Sequence, residues 1–90
     1  MNYEWDQVKA LANLRKHGVD FADAVGVFDD PLAFSMPDAT PHELRHTALG
    51  MDFLGRTLIV IYTYRDERIR LVSARRATTA ERRTYEQGDR

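Results

Sequence analysis

Seven arginines fall between Arg65 and Arg83 of this chain: Arg65, Arg68, Arg70, Arg75, Arg76, Arg82 and Arg83, with Tyr62, Tyr64 and Tyr85 close by. Guanidinium groups stay charged at any cellular pH and match phosphate oxygens with two parallel hydrogen bonds. Tyrosine faces stack on unpaired bases. Together these residue types point to an anionic polymer held by its phosphates. The plainer alternative is a solvated strand face whose charges are absorbed locally by Asp66, Glu67, Glu81 and Glu86.

Two further groups carry chemistry. Lys16-His17 pairs an acid–base group that titrates near neutral pH with a cation able to stabilise charge on a phosphoryl group. The same pair would also suit the negative end of a helix dipole. His42, Glu43, Arg45 and His46 form a third cluster. It lacks the i, i+4 helical spacing of a His–Glu metal site, so Arg45 is read as a phosphate contact and no metal or other cofactor is expected. Such residues are enough for RNA cleavage in principle. The 2′-hydroxyl of RNA supplies its own nucleophile, and the protein need only orient it, move protons and stabilise charge. No Gly-rich phosphate loop, paired-carboxylate motif or Ser/His/Asp set is present.

Charge is divided along the chain. Residues 1–44 hold three basic and eight acidic side chains and carry −5; residues 45–90 hold ten arginines, no lysine and six acids and carry +4. The overall −1 conceals this asymmetry, which suggests an anionic partner for the second half. Ninety residues make one domain, 1–90, with a modest core. There is no cysteine, so disulfides and thiolate metal sites are excluded. Met1 to Asp6 is polar, and the longest apolar run, Leu58 to Tyr62, is far below the roughly 18 residues of a membrane span. The expectation is a soluble, cytoplasmic protein.

The elements that must position these groups follow from capping and periodicity. Asp6 caps a helix over Gln7–His17, with Val8, Leu11, Ala12 and Leu14 as its apolar side and Gly18 as its left-handed end. Asp20 caps a second helix from Phe21 to about Phe28, stopped by Asp29-Asp30-Pro31. Strands are expected over Leu32–Met36, Arg45–Met51, Arg56–Tyr64 and Arg68–Arg75, with a loop over Pro37–Glu43 and tight turns at Asp52–Gly55 and Asp66-Glu67. Thr78 and Glu81 fit a capping box that opens a last helix reaching about Gln87. The fold class expected is α+β, with two N-terminal helices, a four-stranded antiparallel sheet and a C-terminal helix. Trp5, Phe21, Phe28 and Ile69 are assigned to the core.

The sequence resembles the BrnT toxins of bacterial type II toxin–antitoxin pairs. The resemblance rests on Tyr3-Glu4-Trp5-Asp6, Lys9, Asn13, Lys16-His17-Gly18-Val19, Phe21, Ala24, Val27-Phe28 and Asp30-Pro31. Its middle part is Arg45 with Gly50, and its last part runs from Arg68 to Ala77 with Glu81-Arg82 and Tyr85. It implies a RelE-like fold, RNA cleavage that blocks translation and slows growth, and neutralisation by a ribbon-helix-helix antitoxin, BrnA. It also implies promoter DNA binding only through the complex, mainly by the antitoxin. The family often carries Glu directly before the middle arginine; here that position is Leu44, with Glu43 one residue earlier.

Combining residues and resemblance, the expected activity is a metal-independent endoribonuclease. Arg45, Arg75 and Arg76 would bind phosphate, Lys16 and His17 would serve as acid–base groups, and Tyr85 would stack on a base or relay a proton. The rival readings are a binding module without catalysis and a co-regulator that assists a DNA-binding partner.

Overall fold

A computed structural model describes residues 2–37 and 45–88. The expected His42, Glu43 and Leu44, and the loop over 38–43, lie outside the described residues. The described elements are β1 (Asn2–Glu4), α1 (Gln7–His17), α2 (Phe21–Ala24) running into a 3-10 turn (Val25–Asp29), β2 (Phe34–Pro37), β3 (Arg45–Met51), β4 (Thr57–Arg65), β5 (Arg68–Arg76) and α3 (Thr79–Gln87).

The α+β class holds, but the expected four-stranded antiparallel sheet with two N-terminal helices does not. Among the described residues the sheet has five strands in the order β1-β5-β4-β3-β2. It is mixed, because β1 pairs in parallel with β5, Tyr3 opposite Ile69. A three-residue strand, Asn-Tyr-Glu, is too short to show alternation, and its partner lies 66 residues away at the Glu4–Arg70 contact. The second helix also differs. Only Phe21–Ala24 is α-helical, and the chain tightens into the 3-10 turn before Asp30-Pro31.

Local signals explain the remaining elements. The Asp6 carboxylate accepts from Val8 N at 3.2 Å, and Gly18 ends α1 at φ +70° with its N–H donating to Leu14 O at 2.8 Å. Asp66 and Glu67, at φ +51° and +64°, make the two-residue turn between β4 and β5, both in the left-handed region that a type I′ hairpin requires. Thr78 and Glu81 form the capping box of α3 with reciprocal bonds of 3.1 and 2.8 Å.

Cross-strand partners share a face, which gives the sheet two sides. One side carries Ala48, Leu58, Val60, Tyr62, Ile69, Leu71 and Ala74 and packs against Val19, Phe21, Ala24 and Val27 from the helices. An aromatic chain crosses this core, Tyr3–Phe28–Tyr62, and His46 stacks on Tyr62 with ring centroids 5.3 Å apart. On the other side α3 covers one end, where Tyr85 packs on Leu49 and Ile59.

Helix α1 is inverted relative to expectation. Its buried residue is Asn13, while Val8, Leu11 and Leu14 are exposed. The reason lies at the sheet edge. β1 ends opposite Arg70, leaving the outer backbone of β5 unpaired beyond it. The Asn13 amide takes over there: Nδ2 donates to Ala74 O at 2.8 Å and to Val19 O at 3.0 Å, and Oδ1 accepts from Ala74 N at 3.0 Å. A side-chain amide has the donor and acceptor of a peptide group, so it continues the ladder where strand β1 stops.

Candidate nucleic-acid interface

The arginines of the second half do not act as one patch. Arg68 and Arg70 lie on the face opposite the main core, and Glu4 of β1 engages them, Arg70 at 2.6 Å and Arg68 at 3.9 Å. Arg75 lies on the same face and forms a bidentate pair with Glu81, at 2.8 and 3.0 Å. That pair holds the Glu81 carboxyl down at about 2, against an ordinary 4.5, and raises the Arg75 guanidinium. Arg75 therefore ties the end of β5 to the first turn of α3.

Arg76 sits one residue on, opposite Leu58 rather than Ile59, and so projects to the other side of the strand. It lines a cleft of about 340 Å³ at the sheet end together with Arg56, Arg82 and Glu86. Among the described residues, no ion pair or hydrogen bond engages the Arg76 or Arg82 side chain. Arg56 is held differently. Its Nε donates to Asp52 Oδ2 at 2.9 Å, and its Nη1 reaches Gly18 O at 3.2 Å. Gly18 directly follows Lys16-His17, so Arg56 ties the basic last turn of α1 (Arg15, Lys16, His17) to the cleft. Lys16 is exposed and His17 half-buried.

The other expected site residues are placed elsewhere. Arg45 shares a face with Arg75 but pairs with Thr63, four β4 residues from the Ile59 that faces Arg75. At about 3.3 Å per residue and about 4.8 Å per strand, the two backbones stand roughly 16 Å apart. Tyr85 is buried, and its hydroxyl donates to Asp30 Oδ2 at 2.6 Å, a carboxylate that also accepts from Met51 N at 2.9 Å. That bond pins α3 to the end of β3. His46 points into the core side, away from Arg45, and no three His, Asp or Glu side chains among the described residues are grouped to hold a metal ion.

Sequence reasoning did not single out Arg56, Asp52 or Asn13 as positioning groups. Arg56 carried a signal in its i, i+4 spacing from Asp52 inside a turn. Asn13 carried one as an amide set among Ala10, Leu11, Ala12 and Leu14 in the middle of the helix.

A small α+β domain with a cationic cleft at the sheet end is the class defined by fold and site. Compared with known proteins, residues 5–81 match the family described as "Ribonuclease toxin, BrnT, of type II toxin-antitoxin system". The chain therefore belongs to the BrnT family of ribonuclease toxins, a family with RNA as substrate and an antitoxin as partner. Among solved structures it is similar to the Brucella abortus ribonuclease toxin BrnT, solved at 1.1 Å, with 27% identity and a TM-score of 0.65 over 88% of this chain and 99% of that one. No curated protein matches it. Among the described residues, no helix is long and apolar enough to cross a membrane.

Proposed function

We propose that this chain cleaves RNA without a metal ion, through the 2′-hydroxyl, and thereby inhibits translation and growth. In this reading a ribbon-helix-helix antitoxin of the BrnA kind neutralises it in the cytoplasm, and promoter DNA is bound only through that complex. The observation that carries the reading is the sheet-end cleft: Arg76 and Arg82 flank it with their charges uncommitted among the described residues, and Arg56 ties it to the helix end carrying Lys16 and His17.

The chemistry is balanced with these groups alone. The 2′-oxygen attacks phosphorus, the 5′-oxygen leaves, and the products are a 2′,3′-cyclic phosphate and a 5′-hydroxyl. Arg76, with Arg82 beside it, stabilises the extra negative charge on the phosphoryl oxygens. Lys16 and His17 move the two protons, one taken from the 2′-hydroxyl and one given to the leaving oxygen. Arg75 sets the direction of the strand end through Glu81, Tyr85 anchors α3 through Asp30, and Arg45 meets the RNA farther along the sheet.

Incubation of the purified protein with RNA in EDTA tests this reading. Cleavage that falls at least tenfold in a folded Arg75→Ala, Arg76→Ala variant supports it, and undiminished cleavage by that variant would place the site elsewhere. The rival is a binding module or co-regulator without catalysis. It is favoured by the engagement of Arg75 and Tyr85 in bonds within the fold, and it predicts RNA retention with no cut products.

A further inference from the structure

A second surface, on the side of α2 and the 3-10 turn, has the opposite character to the arginine cleft. The β3–β4 turn presents Phe53 and Leu54 side by side at 58% and 63% exposure, and Met51, which shares the groove with Phe53, is exposed at 38%. Large apolar side chains grouped in this way on a small domain mark an interaction site.

The turn is rigid. Phe53 N donates to Asp23 O at 3.2 Å, and Gly55 N to Asp52 O at 3.1 Å. The buried Asp52 carboxylate accepts from Leu54 N and Arg56 N at 3.0 and 2.8 Å. Gly26 permits the close approach, since a Cβ there would collide with the Phe53 backbone nitrogen. Between the turn and the 3-10 segment runs a shallow groove of about 260 Å³, lined by Gly26, Asp29, Asp30, Met51, Asp52 and Phe53.

The charge around this groove is one-sided. Asp29, Asp30 and Asp52 line it, Asp23 meets the turn only through its backbone carbonyl, and among the described residues no lysine, arginine or histidine lines it. Arg56, the nearest cation in the turn, is directed away to Asp52 and Gly18 O. An acidic rim repels RNA phosphates, so the surface does not extend the arginine cleft. It fits a partner that brings apolar side chains flanked by cations.

We propose that this groove docks a basic amphipathic segment of the antitoxin, an apolar side chain entering between Asp29 and Phe53 while lysines or arginines meet Asp29. The proposal rests on the antitoxin partnership stated above. It places inhibition on a groove that adjoins the arginine cleft at Met51, which lines both: the partner grips the acidic side and lies across the sheet end from there. Preformed rigidity favours such a grip, because little ordering is left to be done on binding.

The test uses the full chain and the protein encoded by the reading frame adjoining its gene, co-expressed and then titrated as purified components by calorimetry. Phe53→Asp and Leu54→Asp change exposed side chains, and circular dichroism checks that each variant folds. Phe53→Asp is expected to weaken the complex roughly 30-fold or more, as loss of an apolar anchor does. Asp29→Lys is expected to weaken it and to remove part of its salt dependence. Arg82→Ala is expected to change affinity less than threefold. RNA cleavage by Phe53→Asp continues at the wild-type rate but escapes inhibition by the partner.

Unchanged affinity in both Phe53→Asp and Leu54→Asp overturns the proposal. So does a partner-free dimer of this chain that Phe53→Asp dissociates, which would make the groove a self-interface. Failure of the wild-type chain to bind the adjoining protein at all overturns the partnership, whatever the RNA assay shows; failure of RNA cleavage alone leaves the docking result standing.

Discussion

Replacing Asn13 by alanine removes three buried hydrogen bonds at once. Ala74 N, Ala74 O and Val19 O each lose their partner on the concealed side of α1. A buried donor or acceptor left unpaired costs about 1–3 kcal/mol. Asn13 is 7% exposed, so some water reaches the gap and the lower end of that range applies. Three groups near 1 kcal/mol each give a loss of about 3 kcal/mol, a large share of the roughly 5–15 kcal/mol that holds a small domain together. Equilibrium urea unfolding followed by far-ultraviolet circular dichroism measures it directly. The melting temperature should fall by roughly 12 °C or more. Asn13→Asp should be worse than Asn13→Ala, because it retains an acceptor for Ala74 N but sets a carboxylate against two carbonyl oxygens. A loss below about 1 kcal/mol in Asn13→Ala would refute the idea that this amide stands in for a missing strand.

Other expectations follow from the same geometry. Arg76→Ala with Arg82→Ala should flatten the dependence of log RNA affinity on log salt by about 1.4, the share of two phosphate contacts on a single strand, in fluorescence anisotropy across a salt series. The Glu81 carboxyl is lowered in the fold, so its contribution to stability is complete above its ordinary 4.5 and is lost as pH falls toward about 2. Glu81→Gln should therefore lower stability at neutral pH and abolish that part of the acid limb, read from urea midpoints between pH 2 and 6. Gly50→Ala would set a Cβ 2.6 Å from Ala33 Cβ and 3.0 Å from Val27 Cγ1, where β3 passes the 3-10 turn. An overpacking cost of about 1–3 kcal/mol should appear in thermal melts of that variant.

The helix caps, the β4–β5 turn and the capping box were legible because each depends on a few adjacent residues. Asp6 and Gly18 bound α1 on their own chemistry, as Thr78 and Glu81 do for α3. The fifth strand was not legible. Asn2–Glu4 has no period to read, and its place beside β5 is fixed by pairing across most of the chain. The direction faced by α1 was hidden for a related reason. Periodicity identified an apolar stripe but not which side the sheet would take, and that choice was made by Asn13 at the β5 edge. The arginines show the same limit. Their types and spacing were visible, whereas Glu4 and Glu81 decide which of them are occupied, and only the register separates Arg76 from Arg75 and both from Arg45.

If the 2′-hydroxyl is the nucleophile, cleavage requires it at the cut position, and a substituted substrate isolates that requirement. A single-stranded RNA oligomer that the protein cuts in EDTA is compared with the same oligomer carrying 2′-deoxyribose only at the cut position. The expected result is cleavage of the first, with a 2′,3′-cyclic phosphate and a 5′-hydroxyl at the new ends, and no cleavage of the second. Equal cutting of both, or cutting of the RNA only when magnesium is added, would contradict it.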